Sequence, residues 1–318
     1  MAPKLNLSQV TAMTEDKARA YLESALWSNG PVCHHCGSMK FWRVASLTAR
    51  HGVYTCAECE KQYTVTVGTV MHGSHISLRQ WVIAFHLMTS SKKGVSALQL
   101  QRNLGLGSYR SAWHLAHRIR LSMKEDPLVK LLQGTVEVDE TYVGGKPRKE
   151  NTGNSDKPKN KRGRGTDKTP VMALVERSGN AFSKPIEHVN AKTLKGAIRS
   201  LVQKDSIIMT DEWKSYIGIG KEFKGGHETV NHSEGEFVRG YVSTNTVESY
   251  FSLLKRGVMG IFHHLSKGHL HRYCDEFSFR WNYRKVNDGE RAIAVIRGSM
   301  GKRLTYKPTF GHSHSLIS

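Results

Sequence analysis

Asp139, Asp211 and Glu248 are three acids far apart along the chain, and the sequence around each gives it a definite seat. Asp139 lies in "TVEVDETYVGG", residues 135–145, where Val136 and Val138 alternate with Glu137 and Asp139 in the manner of a strand. Asp211 ends the short apolar run of Ile207, Ile208, Met209 and Thr210 in "SIIMTDEWKSY". Glu248 belongs to "VSTNTVESYFSLLKRG", residues 242–257, a helical pattern that Thr244 and Asn245 can cap. On a 3.6-residue repeat Asn245, Glu248, Ser252 and Lys255 share one face, with Val247, Phe251 and Leu254 on another. Carboxylates brought together repel one another unless cations lie between them. Two Mg2+ or Mn2+ ions roughly 3.5–4 Å apart would relieve that repulsion and make a phosphoryl-transfer site. Asn245, one turn before Glu248, is the rival third ligand, but its neutral oxygen compensates less charge. Lys255, two turns after Glu248, could meet a phosphate beside the bond being cut.

The elements between these residues decide whether they meet. After the strand at 135–145 come "VMALVER" and "SKPIEHV" as two more strands, then "NAKTLKGAIRSLVQ" as a helix capped by Asn190. The strand ending in Asp211 follows, then "HETVNHS" as a further short strand, then the helix bearing Glu248. Three strands, a helix, a strand and a helix is the order of the ribonuclease H-like fold. In that fold the first and fourth strands lie side by side, so Asp139 and Asp211 become neighbours and Glu248 descends on them. Glu137 shares a strand face with Asp139 and stands behind it, whereas Glu140 and Glu212 point elsewhere by parity, to the surface.

A second chemistry sits upstream. "CHHC" at Cys33–Cys36 and "CAEC" at Cys56–Cys59, with 19 residues between them, aim four thiolates at one ion from two tight turns. The β-prone runs around them are those of a zinc ribbon. Four thiolates leave no open coordination position, so this zinc serves folding, and His34 and His35 are not needed as ligands. Cys274, alone in an aromatic-rich helical stretch, reads as core.

From Ser74 to Met123 the pattern is helical, with Ser96 as a cap and Gly105 and Gly107 permitting a turn. Two helices joined by a short glycine-containing turn, the second one basic, read as a helix-turn-helix. Trp113, Ala116 and Ile119 are expected in its core, leaving Arg110, His114, His117, Arg118 and Arg120 to contact DNA. The polar stretch 146–170 has no apolar periodicity, and its basic surplus, Arg162 and Arg164 included, suits an arm that grips phosphate.

The expected class is therefore α+β or α/β multidomain. It divides into an N-terminal helix (1–25), a zinc ribbon (26–72), a helix-turn-helix region (73–126), a mixed-sheet catalytic domain (130–295) and a tail (296–318). Net charge of +20 and a pI near 9.8 favour a polyanionic partner. No apolar run approaches the roughly 20 residues of a membrane span, and the N-terminus lacks a signal peptide's apolar centre, so a cytoplasmic, nucleoid-associated protein is expected.

Taken together, "VEVDETYVGGK", "TDEWKSY", "NTVESYFSLLKRGVMGIFHHLSKGHLHRY" and "DEFSFRWNYR", behind a zinc ribbon, resemble DDE transposases of one bacterial insertion-sequence family, the prokaryotic counterpart of the Merlin elements. The similarity runs from about residue 20 to about residue 295. It implies that Asp139, Asp211 and Glu248 hold two divalent ions while Lys255 and Arg256 contact DNA. It also implies cleavage at the inverted-repeat ends of a mobile element, attack of the freed 3′-hydroxyl on duplex target DNA, and a homo-oligomer, at least a dimer on DNA. The competing readings are a non-catalytic DNA-binding regulator, for which the three acids have no purpose, and a structure-selective nuclease.

Overall fold

A computed structural model describes residues 2–44, 51–125, 131–144, 166 and 168–306. They gather into two units, Met1–Met123 with Val286–Ser318 and Lys124–Lys285.

The first unit opens with two short helices, α1 (Leu7–Thr11) and α2 (Glu15–Leu26), whose first free N–H groups are accepted by the side chains of Asn6 and Thr14. Strands β1 (Phe41–Arg43), β2 (Tyr54–Cys56) and β3 (Gln62–Tyr63) form a small antiparallel sheet. Three helices follow, α3 (Leu78–Ser90), α4 (Ala97–Leu104) and α5 (Tyr109–Met123). Ser77 and Gln80 close a reciprocal capping box on α3, which is apolar around most of its girth and buries Trp81, Val82, Phe85 and Met88. Ser96 caps α4 as the sequence predicts, and Gly105 ends it with φ +62°, a left-handed conformation glycine adopts without strain.

In the second unit β4 (Thr135–Val143), β5 (Thr169–Glu176) and β6 (Ala181–Pro185) form an antiparallel meander. Helix α6 (Ala191–Leu201), capped by Asn190, crosses back so that β7 (Ile207–Asp211) lies parallel to β4. Strand β8 (His227–Val230) then adds parallel to β7. The sheet order β6-β5-β4-β7-β8 is the ribonuclease H-like order, with the first and fourth strands adjacent as expected. A small hairpin, β9 (Val238–Arg239) and β10 (Val242–Ser243), leads into α7 (Asn245–Gly257), and α8 (Leu270–Asn282) follows.

Strand alternation divides the core in two. Val136 and Val138 join Met172, Leu174, Leu194, Ile198 and Ile208 on the face covered by α6. Val171, Ala173 and Val175 meet Val247, Tyr250, Leu254 and Phe277 on the face covered by α7 and α8, where Cys274 is buried as core. Glu137 and Asp139 therefore point toward α7.

The chain returns to the first unit with α9 (Asp288–Arg297), which packs on α2, α3 and α5 and buries Ala292, Val295 and Ile296. This differs from the sequence reading, which ended the catalytic domain at 295 and made 296–318 a tail. The apolar stripe of α9 finds its partners in the N-terminal helices, a pairing across nearly the whole sequence that no local pattern announces. Most of the predicted insert at 146–170, with Arg162 and Arg164, and the end of the tail lie outside the described residues.

Candidate active site and metal-binding residues

The β4–β7 register sets Thr135, Val136 and Glu137 opposite Ile207, Ile208 and Met209. Two residues further along both strands, Asp139 and Asp211 stand level on one face. Each is oriented by its own backbone neighbourhood. The Glu140 N–H donates to Asp139 Oδ1 at 2.7 Å, and the Trp213 N–H donates to Asp211 Oδ1 at 3.1 Å.

Glu248 occupies the first turn of α7, which packs on β4 and β5. The expected local cap is absent: Thr244 precedes the helix without a capping bond from its side chain. A carboxylate from β4 does that work instead. Glu137, fully buried, accepts the N–H groups of Thr246 at 2.7 Å and Val247 at 3.0 Å on Oε2. Its Oε1 accepts the Thr246 hydroxyl and the Arg177 Nε–H, both at 2.9 Å. Arg177 also donates to the Tyr241 and Ser243 carbonyls. The helix that carries Glu248 is thus fastened to the strand that carries Asp139, two residues from it. A charge at a helix N-terminus also gains from the helix dipole.

His232 completes this neighbourhood. Its Nε2 lies 3.0 Å from Thr244 Oγ1 and 3.7 Å from Glu248 Oε1, and the Thr244 hydroxyl donates to Glu248 Oε1 at 3.3 Å. Asp139 feels the whole group. Burial is the largest influence and pushes its carboxyl up to about 6, against the pull of the Glu140 N–H. The charges of Asp211 and Glu248 raise it further, and His232 opposes them. Oxygen donors that raise one another's proton affinity suit hard divalent cations. Among the described residues, the group of three or more ligand side chains with donor atoms all within 4.8 Å is the four cysteines, so the three carboxylates are spread more widely.

In the small sheet, Cys33 and Cys59 bring their Sγ atoms to 3.7 Å, and Cys36 and Cys56 to 3.5 Å. Sulfurs about 2.3 Å from a tetrahedral zinc are roughly 3.8 Å apart, so the four thiols fit such an ion. Backbone N–H groups of Cys59 and then Glu58 help hold the Cys56 thiol down at about 6. The hydrogen bond to Cys56 pushes the Cys36 thiol up, so the pair shares one proton that a metal would displace. His34 and His35 are not in this group.

Residues 131–282 match the ISXO2-like transposase domain, and residues 13–62 match the transposase zinc-ribbon domain. Together these matches span well over half of the sequence. The chain carries the two domains of this transposase family. A protein of the transposable element ISH50 in Halobacterium salinarum is 29% identical over 293 residues, 90% of this chain and 97% of the relative. A transposase-like protein of Haemophilus influenzae is 27% identical over 117 residues, 36% of this chain and 92% of the relative. The crystal structure of the Mos1 strand transfer complex aligns with a TM-score of 0.28 at 14% identity, covering 66% of this chain and 75% of that one.

The basic residues expected to contact DNA separate into exposed and buried sets. Arg110 is exposed at the start of α5 with its guanidinium 4.0 Å from the Tyr306 ring centre, and half-buried His114 meets the same ring edge-on. His117, Arg118 and Arg120 are buried, which corrects the expectation that they stay available. The cause is the packing of α3, α4 and α9 around α5, which turns one more face of the helix inward than amphipathicity suggests. Arg118 donates to the His72 carbonyl and lies over the Trp81 ring, so its charge supports the core. Trp113, expected in the core, is only half-buried. Lys255 and Arg256 are exposed, and Asn245, Glu248, Ser252 and Lys255 all keep to the outer side of α7 as their spacing predicts.

Two contributors went unread. His232 sits in "VNHSEGEF", a segment without periodicity, and Arg177 follows a strand like any turn residue. Only the strand pairing brings them here. Glu140, expected at the surface, instead accepts the hydroxyl of the buried Tyr216, and Glu212 accepts the His232 N–H at 3.1 Å.

Proposed function

We propose that this transposase cleaves DNA at the ends of an insertion sequence and joins the freed 3′-hydroxyl to target DNA, with Asp139, Asp211 and Glu248 as ligands of two divalent cations. One observation carries the reading: the register aligns Asp139 with Asp211 while the buried Glu137 fastens the Glu248 helix to the same strand. Bound between these acids, Mg2+ or Mn2+ would supply Lewis acidity for phosphoryl transfer. Glu248 is favoured over Asn245 as the third ligand because its charge is felt at Asp139 and it faces His232 at 3.7 Å. His232, held by Thr244, orients Glu248. Lys255, on the same outer stripe as Glu248, holds the phosphate backbone beside the scissile bond. The cysteine set binds zinc to fold the ribbon, and the exposed start of α5 near Arg110 contributes to duplex binding. Joining two element ends calls for at least two copies on DNA.

The test is Mg2+-dependent nicking of a labelled inverted-repeat end. Asp139→Asn, Asp211→Asn and Glu248→Gln should each lower the rate by a factor of about 10³ or more, a loss typical of removing charge stabilisation, while a gel shift stays within a few-fold. A wild-type chain that shifts the end without ever cutting it would make this a binding regulator, and Glu248→Gln that cuts while Asn245→Ala does not would reassign the third ligand.

A further inference from the structure

The hairpin of β9 and β10 presents apolar side chains to solvent next to the acids. Phe237, Val238 and Tyr241 are 60%, 53% and 62% exposed, in a unit whose other large apolar groups are mostly buried. A two-residue turn joins the strands, with Arg239 paired to Val242. Gly240 opens it at φ +60°, the positive angle that the first position of a tight hairpin turn needs, and Tyr241 stands at the tip. The hairpin is not loosely hung. Arg177, itself bonded to Glu137, donates to the Tyr241 and Ser243 carbonyls and the Ser243 hydroxyl. The Phe237 ring lies 5.4 Å from the ring of His232, whose Nε2 is 3.7 Å from Glu248 Oε1. Phe237 therefore stands one side chain from Glu248, and Tyr241 at the tip is tied through its carbonyl to the Arg177 that pairs with Glu137.

Exposed apolar groups next to a polar site mark a ligand. Phosphates cannot use Phe237 and can use only the hydroxyl of Tyr241, whereas bases can use both rings, since every base offers a π-face and stacking on an aromatic side chain tolerates any sequence. Bases inside a duplex are already stacked, so the edge suits nucleotides that have left their partners. Strands that separate at an element's end would need something for their bases to rest on. We infer that Phe237 and Tyr241 form a stacking platform for unpaired terminal nucleotides of the DNA substrate, held open beside Asp139, Asp211 and Glu248. This rests on the proposed reaction for its substrate and adds the state in which that substrate is bound.

The probe is a labelled element end carrying 2-aminopurine at one of its terminal nucleotides, bound to the full chain in Ca2+ so that fluorescence reads stacking without cleavage. Wild type should change the emission at terminal positions and not at internal ones. Phe237→Ala with Tyr241→Ala should abolish that change, and Tyr241→Phe with Phe237 intact should retain it. In Mg2+ the double variant should lose at least tenfold on a fully paired end, and clearly less on an end synthesised with mismatched terminal nucleotides. A terminal signal that survives the double substitution overturns the proposal, as does an equal loss of cleavage on paired and mismatched ends. So does a change in the sedimentation of the DNA-free chain, which would make the hairpin a contact between copies. A terminal signal with no cleavage of either end would remove the proposed reaction and leave the platform standing; cleavage with no terminal signal would do the reverse.

Discussion

Asp139 shows how a single residue records its surroundings. Its carboxyl is raised to about 6 by burial and by the neighbouring charges of Asp211 and Glu248. A carboxyl held above its unfolded value of about 3.9 binds protons more tightly in the native state, so its contribution favours folding below that value and is lost as pH rises to about 6. Without divalent ions the second unit should therefore lose stability between about pH 4 and 6 through this group. Asp139→Asn should remove the penalty and raise the melting temperature at pH 8 by roughly 2–4 °C, about 1 kcal/mol for a unit of this size. Mg2+ should stabilise wild type and not the variant. Calorimetry with and without the ion checks both, and a variant melting below wild type in the ion-free buffer would contradict the account.

At the scale of elements, α7 is the piece whose position matters most, and its N-terminus is held from outside. Glu137 replaces the missing local cap and pairs with Arg177 at 2.9 Å, all while fully buried. The Arg177 side chain is 32% exposed, so losing Glu137 costs chiefly the bonds to the Thr246 and Val247 amides, about 1–3 kcal/mol. Glu137→Gln keeps the shape and one acceptor but loses the charge, so it should destabilise less than Glu137→Ala. Hydrogen exchange separates this from a general loss of folding. The Thr246 and Val247 amides should exchange much faster in Glu137→Ala than those of β5, and cleavage should fall more than binding because Glu248 loses its station. Equal protection of the two regions in the variant would place the brace elsewhere.

At the scale of the whole molecule, the zinc ribbon and the second unit are stabilised by different means. The second has a sheet with a core on each face. The ribbon region has one small cluster around Tyr54 and Tyr63, with Cys33 and Cys56 within it, too little to fold on apolar burial alone. Cys33→Ser or strong chelation should therefore unfold the ribbon and weaken DNA binding, while the exchange protection of β4 and β5 stays unchanged. Protection lost in both regions on chelation would mean that zinc stabilises far more than its ribbon. Among the described residues no helix is long and apolar enough to cross a membrane.

Much of this was legible from side-chain pattern alone. Two cysteine pairs on tight turns, a strand of alternating valines and acids, and a helix whose polar stripe carries Glu248 and Lys255 are local features, and local features obey fixed periods. The order of strands and helices then made Asp139 and Asp211 neighbours, because a right-handed crossover brings β7 alongside β4. What the sequence left open were partnerships between distant segments. That α9 would pack on the N-terminal helices, that α5 would bury His117, Arg118 and Arg120, and that Glu137 would cap a helix over a hundred residues away depend on which surfaces meet, and a surface exists only after the chain has folded.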